Sequence, residues 1–296
     1  MKRRRGGGMS RVLPALFVVL WSSGFVGARA VLPYSEPFTF LALRFGLTAL
    51  VLLPVVLARR APVPHGGSFF HVVVAGLMVH AWYLGGVFFA VDRGMPAGLI
   101  ALIAGLQPLL TAALALPLLG ERPSRRQWGG LGLGLIGVIM VLGEKLAPQG
   151  DTLFSGFGLP ALGGGLLALV GLTVGTLYQK RFCQGVDLGM ASFLQFTVST
   201  MALLPLAFLL ETRTIAWTGE FIAGLVWLVL GLSVGAVFLL LLLIKRGGAS
   251  QVASLFYLVP PVTALMAWAL YDEPLGPLAL AGMAVAGTGV ALAARR

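Results

Sequence analysis

Ten apolar segments, each about as long as a membrane is thick, occupy almost the whole chain. They span residues 12–32, 38–58, 69–91, 96–118, 127–143, 157–178, 189–210, 221–244, 248–271 and 275–294. A helix needs about 20 mostly apolar residues to cross a bilayer, whereas a barrel strand needs only about 10. Because backbone groups in lipid must be hydrogen-bonded within the protein, the segments predict an all-α integral membrane protein of ten transmembrane helices.

The composition agrees with lipid as the main solvent. Only 10% of the residues are charged and 58% are hydrophobic, whereas a soluble domain has about 25% charged residues. A net charge of +11 would otherwise suggest nucleic acid as a partner, but the basic residues lie in the gaps between apolar segments. The single cysteine, Cys183, excludes an internal disulfide, and without a Cys/His cluster we expect no metal and no cofactor.

The basic residues also predict the orientation of the chain. The apolar run after Lys2–Arg5 is too long for a cleaved secretory signal, so we expect a retained first helix. With the N-terminus inside, the outer gaps hold only Arg93, Lys145 and Arg213, with Arg29 near the outer end of the first helix. The inner gaps hold Lys2, Arg3, Arg4, Arg5, Arg11, Arg59, Arg60, Arg122, Arg125, Arg126, Lys180, Arg181, Lys245, Arg246, Arg295 and Arg296. The excess of positive charge in the inner gaps predicts that both termini are cytoplasmic.

An internal repeat divides the chain. Residues 97–138 and 249–290 are identical at 12 of 42 positions when one is shifted by 152, and the shift places Pro108 on Pro260 and Glu121 on Glu273. That is more than chance gives for so Leu-, Ala- and Gly-rich a chain, and a fixed repeat distance indicates a duplicated unit.

The repeat predicts two five-helix units, 1–146 and 147–296. A shift of 151 extends the match to earlier helices, for example Phe45 onto Phe196. Since five is odd, the second unit enters the membrane upside down. Inverted repeats of this kind are typical of secondary transporters, which use alternating access to a midplane site. We therefore predict a transporter of small molecules.

Candidate substrate-binding residues are the polar and aromatic side chains that lie about 7–12 residues inside their helices, near the midplane at about 1.5 Å per residue. Polar groups facing lipid are costly, so these side chains are expected to face the interior. Together they predict a cavity for a small amphiphilic molecule. For each one, an interhelical hydrogen bond or an aromatic packing contact is the alternative. They are Trp21, Ser22, Ser23, His80, Tyr83, Gln107, Phe256 and Tyr257.

Prolines interrupt predicted helices 4 and 9 near their middles. Pro108, Pro260 and Pro261 each remove a backbone donor and free a carbonyl group. Their matched positions favour helix breaks that serve gating. A kink that merely fits the packing is the alternative.

Charged groups near the midplane are scarce. Arg44 lies about a third of the way into helix 2, where it either meets a substrate carboxylate or anchors helix ends through their carbonyls. All ten carboxylates lie at or beyond helix ends, which argues against a metal or simple cation carrier. His80 is the mid-depth group through which proton coupling would run, unless the acids at helix ends serve.

Two other function classes fit parts of the sequence. Gly231-Leu-Ser233-Val-Gly235 matches the GxSxG pattern of serine hydrolases, and His80 would be the partner of Ser233. The pattern needs a strand–turn–helix context, however, and here it lies in an apolar helix, so we expect no enzyme. A non-transporting membrane assembly subunit is the other alternative, and it predicts a packed midplane.

Small residues predict close helix contacts, at Gly171 and Gly175 in helix 6 and at glycines 130, 134, 137, 282, 287 and 289 in helices 5 and 10. Helices 1, 3, 4, 6, 8 and 9 are then expected to line the cavity. Helices 5 and 10 would form a scaffold and offer a surface for a homodimer.

Several motifs resemble one transporter family. They are Trp21-Ser-Ser-Gly24, Leu43-Arg44-Phe45, Pro108-Leu-Leu-Thr111, Leu119-Gly-Glu121-Arg122, Pro260-Pro-Val-Thr263 and Asp272-Glu273-Pro274. With the ten-helix inverted repeat, they make the chain similar to the EamA-type branch of the drug/metabolite transporter superfamily. The resemblance implies an inner-membrane carrier, often an exporter of amino acids or related metabolites, with a cavity between the repeats. It departs at helix 6, where Leu172-Thr-Val-Gly175 replaces a tryptophan-containing match to helix 1.

Overall fold

The computed structural model describes residues 9–95, 100, 103–146, 158–246, 249–271 and 276–293, and these residues form helices joined by short loops. Seven helices are single stretches: α1 (Met9–Val31), α2 (Pro37–Ala58), α4 (Gln107–Leu119), α5 (Arg125–Leu146), α6 (Leu159–Phe182), α7 (Leu188–Leu210) and α10 (Pro277–Ala293). Three are composite: α3 (Gly67–Gly76, Leu77–Trp82 and Tyr83–Asp92), α8 (Gly219–Trp227, Leu228–Ala236 and Val237–Arg246) and α9 (Ala249–Ser254, Leu255–Leu258 and Val259–Tyr271). The predicted all-helical class is confirmed for this part of the chain.

Six helical stretches in the described ranges are long and apolar enough to cross a bilayer. They are Pro37–Ala58, Gly67–Asp92, Leu159–Phe182, Leu188–Leu210, Gly219–Lys245 and Val252–Leu270. Shorter apolar stretches lie in α1, α4 and α10. The protein is therefore a multi-pass membrane protein, while the count of ten crossings stays a prediction. The basic N-terminus Lys2–Arg5 and the Glu273 turn lie outside the described residues.

The ends of the helices follow from local sequence. Asp187 precedes α7, and its carboxylate accepts a hydrogen bond from the backbone N–H of Met190 at 2.9 Å. Thr218 caps α8 through the N–H of Phe221 in the same way. These side chains satisfy donors that a helix start leaves free. Gly120 ends α4 with a φ of 70°, a left-handed conformation that glycine adopts without a Cβ clash.

The two halves carry the same irregularities at matched positions. The middle of α3, Leu77–Trp82, and the middle of α8, Leu228–Ala236, are both π-helical, and their first residues lie 151 apart. A turn at Gly105 and Leu106 comes just before α4, Gln107–Leu119. The stretch that matches α4 in the second half is Val259–Tyr271 of α9, which also follows a tight turn, the 3₁₀ stretch Leu255–Leu258. The internal repeat of the sequence is thus also a repeat of backbone form.

Glycines allow the closest helix contacts. A side-chain carbon at Gly137 of α5 would lie 2.3 Å from the backbone nitrogen of Ala286, and one at Gly289 of α10 would lie 2.4 Å from that of Gly134. Only hydrogen fits at such distances, so α5 and α10 pack backbone to backbone. Gly171 of α6 meets the carbonyl oxygen of Met78 in α3 in the same manner.

The loop after α1 is joined to the loop after α7. Ser35 and Ile215 form an isolated antiparallel bridge, and the N–H of Ala216 donates to the carbonyl of Tyr34 at 2.9 Å. The Tyr34 hydroxyl donates to the Glu220 carboxylate. Because these residues belong to opposite halves of the chain, the contacts fix one end of the first half to the second.

Candidate functional site

A partly enclosed cavity of about 50 Å³ lies where α1, α2 and α3 of the first half meet α8 of the second. This volume holds a few water molecules, since one water needs roughly 10–15 Å³ measured in this way. The wall is mostly apolar and aromatic. Its ionisable side chains are Arg44, His80 and Tyr83. The lining residues are Trp21, Gly24, Arg44, Val79, His80, Tyr83, Leu84, Val87, Phe88, Leu232 and Val237.

Arg44 is the charged group of this wall, although its side chain is only 1% exposed. Its Nε–H donates to the hydroxyl of Ser233 at 3.0 Å, which links α2 to the π-helical stretch of α8. Its guanidinium carbon lies 5.7 Å from the ring centre of Phe45, within range of a cation–π interaction. Among the described residues, no carboxylate forms an ion pair with it and no helix-end carbonyl accepts from it. Arg44 thus lines the cavity and also joins two helices, and the choice between its two predicted roles stays a prediction.

An aromatic group forms the wall next to Arg44. The rings of Trp21 and Tyr83 are stacked, with centres 6.3 Å apart and an interplanar angle of 14°. Phe256 of α9 meets the Trp21 ring edge-on at 5.3 Å. Trp21 and Tyr83 line the cavity, whereas Phe256 supports Trp21 from behind. Such ring contacts stabilise by about 0.5–1.5 kcal/mol beyond their burial, so they help to hold Trp21 and Tyr83 in place.

His80 lines the cavity from the π-helical stretch of α3. Its ring stacks on Phe196 with centres 4.4 Å apart, and it is 1% exposed. The Nε2 atom has no hydrogen-bond partner among the described residues. Most buried polar atoms have a hydrogen-bond partner, so this atom is a candidate contact for a polar group in the cavity.

The predicted serines of α1 make contacts between helices instead. The Ser22 hydroxyl donates to the carbonyl of Val259 at 3.2 Å, which joins α1 to α9. Ser23 donates to Leu20 within its own helix and accepts from the indole nitrogen of Trp227. Neither serine lines the cavity, because successive residues of a helix point about 100° apart and only Trp21 of this run faces it.

Gln107 and Tyr257 are buried but lie apart from the cavity. The Gln107 amide donates to the Thr111 hydroxyl at 3.0 Å, one turn along α4. Tyr257 packs in a separate apolar cluster between α5, α9 and α10, where its ring fills the space that Gly134 leaves open. Tyr257 therefore makes the packing contact given as its alternative, whereas the Gln107 hydrogen bond lies within one helix, and a substrate-binding role of either residue stays a prediction.

The prolines lie at the breaks of their helices. Pro108 is the second residue of Gln107–Leu119, and Pro260 and Pro261 follow Val259 at the start of the last stretch of α9. The backbone N–H groups in the first turn of a helix have no acceptor within that helix, so a proline there costs no hydrogen bond. The chain is thus broken at matched positions, and gating by these breaks stays a prediction.

Ser233 is 1% exposed and lies in helical backbone, without the strand–turn–helix that a hydrolase serine requires. Its partner is the Arg44 guanidinium. The GxSxG match therefore lacks its structural context.

Sequence reasoning missed much of the apolar wall. Leu84 and Val87 lie four and seven residues after His80, the spacing of one helix face. Gly24 lies three residues after Trp21. These spacings were the signal in the sequence that could have identified the lining residues. In α3 the signal is only approximate, because the π-helical stretch has more residues per turn than an α-helix.

Comparison with known proteins gives the family. The sequence profile of the EamA-like transporter family matches residues 11–143 and 159–295. The "Uncharacterized transporter YvbV" of Bacillus subtilis (strain 168) is 28% identical over 285 residues, which cover 95% of this chain and 90% of that protein. The "Probable amino-acid metabolite efflux pump" of Salmonella typhimurium is 30% identical over 172 residues, or 58% of this chain and 54% of that one.

The fold also has a match among solved structures. A crystal structure described only as that of a protein superposes with a TM-score of 0.77, covering 95% of both chains at 23% identity, which shows a shared fold. The family resemblance expected from the motifs is confirmed by the profile, which covers most of the chain. The chain therefore belongs to the EamA-like transporter family.

Proposed function

We propose that this protein is an alternating-access secondary transporter that exports small amphiphilic metabolites, such as amino acids, through the cavity at Arg44. The name of the Salmonella relative, a probable amino-acid metabolite efflux pump, supports the direction and the substrate class. Family membership supports transport rather than catalysis.

One observation carries the proposal: both halves of the chain contribute to a cavity that is lined by a buried arginine. A guanidinium deep in a membrane protein costs about 2.5–3.5 kcal/mol on insertion scales, and such residues usually mark a substrate or ion pathway. A cavity of about 50 Å³ is too small for most metabolites. Substrate entry therefore requires α1, α3 and α8 to separate, as alternating access does.

The proposed arrangement in the membrane follows the sequence. We place the protein in the inner membrane with both termini cytoplasmic, as ten crossings in two inverted units, 1–146 and 147–296. The glycine faces of α5 and α10 are occupied by each other. A homodimer through these helices would therefore use their outer faces.

The two other function classes receive less support. An assembly subunit predicts a packed interior, whereas here a cavity lined by Arg44 lies between helices of both halves. A hydrolase would need Ser233 free to attack, but its hydroxyl accepts the Arg44 N–H inside a helix. Abolition of an esterase activity by Ser233→Ala would favour the hydrolase.

Transport is tested with purified protein in liposomes loaded with radiolabelled amino acids and related metabolites. We expect counterflow of at least one of them. Val87 lines the cavity, so Val87→Phe should block this flux by filling the space. Leu50, which is 64% exposed on α2, provides the control Leu50→Phe, which should transport normally. Flux that Val87→Phe leaves unchanged would place the pathway elsewhere.

A further inference from the structure

The cavity wall contains a fixed cation and no fixed anion. Arg44 is one of its lining residues, and none of the others is an aspartate or glutamate. The sequence extends this beyond the wall, because no acidic residue occurs in 37–91, 188–210 or 221–271. A buried charge without a counter-charge is unfavourable in a medium of low dielectric constant. A ligand that brings a negative charge would remove that cost.

The hydrogen bond to Ser233 orients the guanidinium. Of the five N–H donors of an arginine, the one on Nε is directed to the Ser233 hydroxyl at 3.0 Å. The side-on fork of Nε and one terminal nitrogen is thereby occupied. The end-on fork of the two terminal nitrogens is the remaining edge, and its spacing matches the two oxygens of a carboxylate.

The rest of the wall suits an apolar group. Leu84, Val87, Phe88, Leu232 and Val237 surround the space, and Trp21 and Tyr83 present aromatic rings to it. No second cation other than His80 is available there to neutralise a doubly charged phosphate. A single carboxylate with an apolar or aromatic body is therefore the better match.

The same wall disfavours an ammonium group. A zwitterionic amino acid would bring a positive charge into a cavity that already holds Arg44 and offers no carboxylate in return. Like charges in a site of low dielectric constant repel, and the ammonium would lose its hydration.

We propose that Arg44, oriented by Ser233, binds the carboxylate of an amphiphilic monocarboxylate that carries no ammonium group. This assignment rests on the proposed transport function, and it narrows the substrates to monocarboxylates without an ammonium group, which leaves out the zwitterionic amino acids given there as examples. Ser233 acts as a positioning residue, since it reaches the ligand only through Arg44.

Three compounds of one shape test the assignment: 3-phenylpropionate, phenylalanine, which adds an α-ammonium group, and 3-phenylpropionamide, which lacks the negative charge. Their binding to the purified full chain is measured by ligand-dependent thermal stabilisation. We expect 3-phenylpropionate to bind at least tenfold more tightly than either of the others. Arg44→Gln should abolish this preference, whereas Arg44→Lys, which keeps the charge but not the fork, should retain part of it. Ser233→Ala should weaken binding of the carboxylate several-fold and leave binding of the amide unchanged.

Transport in liposomes separates this assignment from the proposed function. A wild-type protein that moves phenylalanine or the amide as readily as 3-phenylpropionate, with no change in Arg44→Lys, overturns the assignment and leaves transport intact. A protein that moves none of the three but still binds 3-phenylpropionate through Arg44 supports the assignment and argues against transport. If Arg44→Gln does not fold, the Arg44→Lys and Ser233→Ala measurements decide the matter.

Discussion

Glu36 and Glu211 exchange their carboxylates between two segments. Glu36 lies just before α2 but binds the loop after α7, and Glu211 lies just after α7 but caps the start of α2. The Glu211 carboxylate, just after α7, accepts hydrogen bonds from the N–H groups of Phe38 and Thr39 at the start of α2, at 2.7 and 2.6 Å. The Glu36 carboxylate, just before α2, accepts from the N–H groups of Thr212 and Arg213, at 3.1 and 2.8 Å. Two halves of the chain are thus held at one end by exchanged carboxylates.

Because Glu211 caps α2, we expect its substitution to destabilise the protein. Its charge faces the N-terminus of α2, where a helix dipole favours an anion, and the pair of amides would lose a charged acceptor in Glu211→Gln. We expect the free energy of unfolding to fall by about 1 kcal/mol, the usual scale for a lost cap. Thermal unfolding of the purified protein measures this.

Asp187→Asn is the matched control for gating, because Asp187 caps α7 at its other end. Both substitutions should lower stability. Only Glu211→Gln should raise the transport rate, since it weakens the link between the halves at the predicted outer side. Equal effects of the two on transport would argue against a gating role.

Glu36 predicts a dependence of stability on pH. The small degree of burial raises the pKa of its carboxyl, but hydrogen bonds from Thr212, Arg213 and Thr214 outweigh this and bring the pKa below the usual 4.5. Because the folded-state pKa is the lower one, the stabilisation is fully present above pH 4.5 and is lost as pH falls through the folded-state value. Unfolding temperatures of wild type and Glu36→Gln should differ at pH 7 and converge at lower pH. A difference that stays constant with pH would exclude this origin.

The contact of α5 with α10 predicts opposite effects of two similar substitutions. In Gly137→Ala the new carbon would lie 2.3 Å from the backbone nitrogen of Ala286, so the helices must separate, at a cost of about 1–3 kcal/mol. In Gly132→Ala, on the same helix, nothing lies within 4 Å of the new carbon. There the better helix propensity of alanine should stabilise by up to about 1 kcal/mol. Thermal unfolding compares the two, and equal destabilisation would contradict the packing described.

The proline breaks predict a loss of transport without a loss of folding. Pro108→Ala and Pro260→Ala each restore a backbone donor and allow the helix to continue through the break. We expect each variant to unfold near the wild-type temperature and to transport several-fold more slowly. Pro54→Ala, at an exposed position inside α2, is the control that should transport normally. Normal flux in both break variants would leave the prolines a packing role only.

The positions of the long helices were predictable because polar loops end their apolar runs sharply. The segment predicted at 38–58 is α2, Pro37–Ala58, and that predicted at 189–210 is α7, Leu188–Leu210. The direction in which a side chain points was harder to predict. A helix that is apolar on all sides carries no periodic signal for its inner face, so depth alone grouped Gln107 and Tyr257 with His80.

The hydrogen bond between Arg44 and Ser233 could not be predicted from the sequence, for a different reason. The two residues lie 189 positions apart and in opposite halves, so no local pattern connects them. Each was noted separately, Arg44 as an isolated charge and Ser233 as part of a hydrolase-like pattern. Only the packing of α2 against α8 shows that they share one hydrogen bond.

The matched π-helical stretches of α3 and α8 bear on the history of the chain. A π turn arises when one residue is inserted into an α-helix and the neighbouring hydrogen bonds absorb it. Here the stretches begin at Leu77 and Leu228, at equivalent places in the two halves. Duplication of one unit that already contained this irregularity would give both stretches at equivalent places, as they are found beside the cavity.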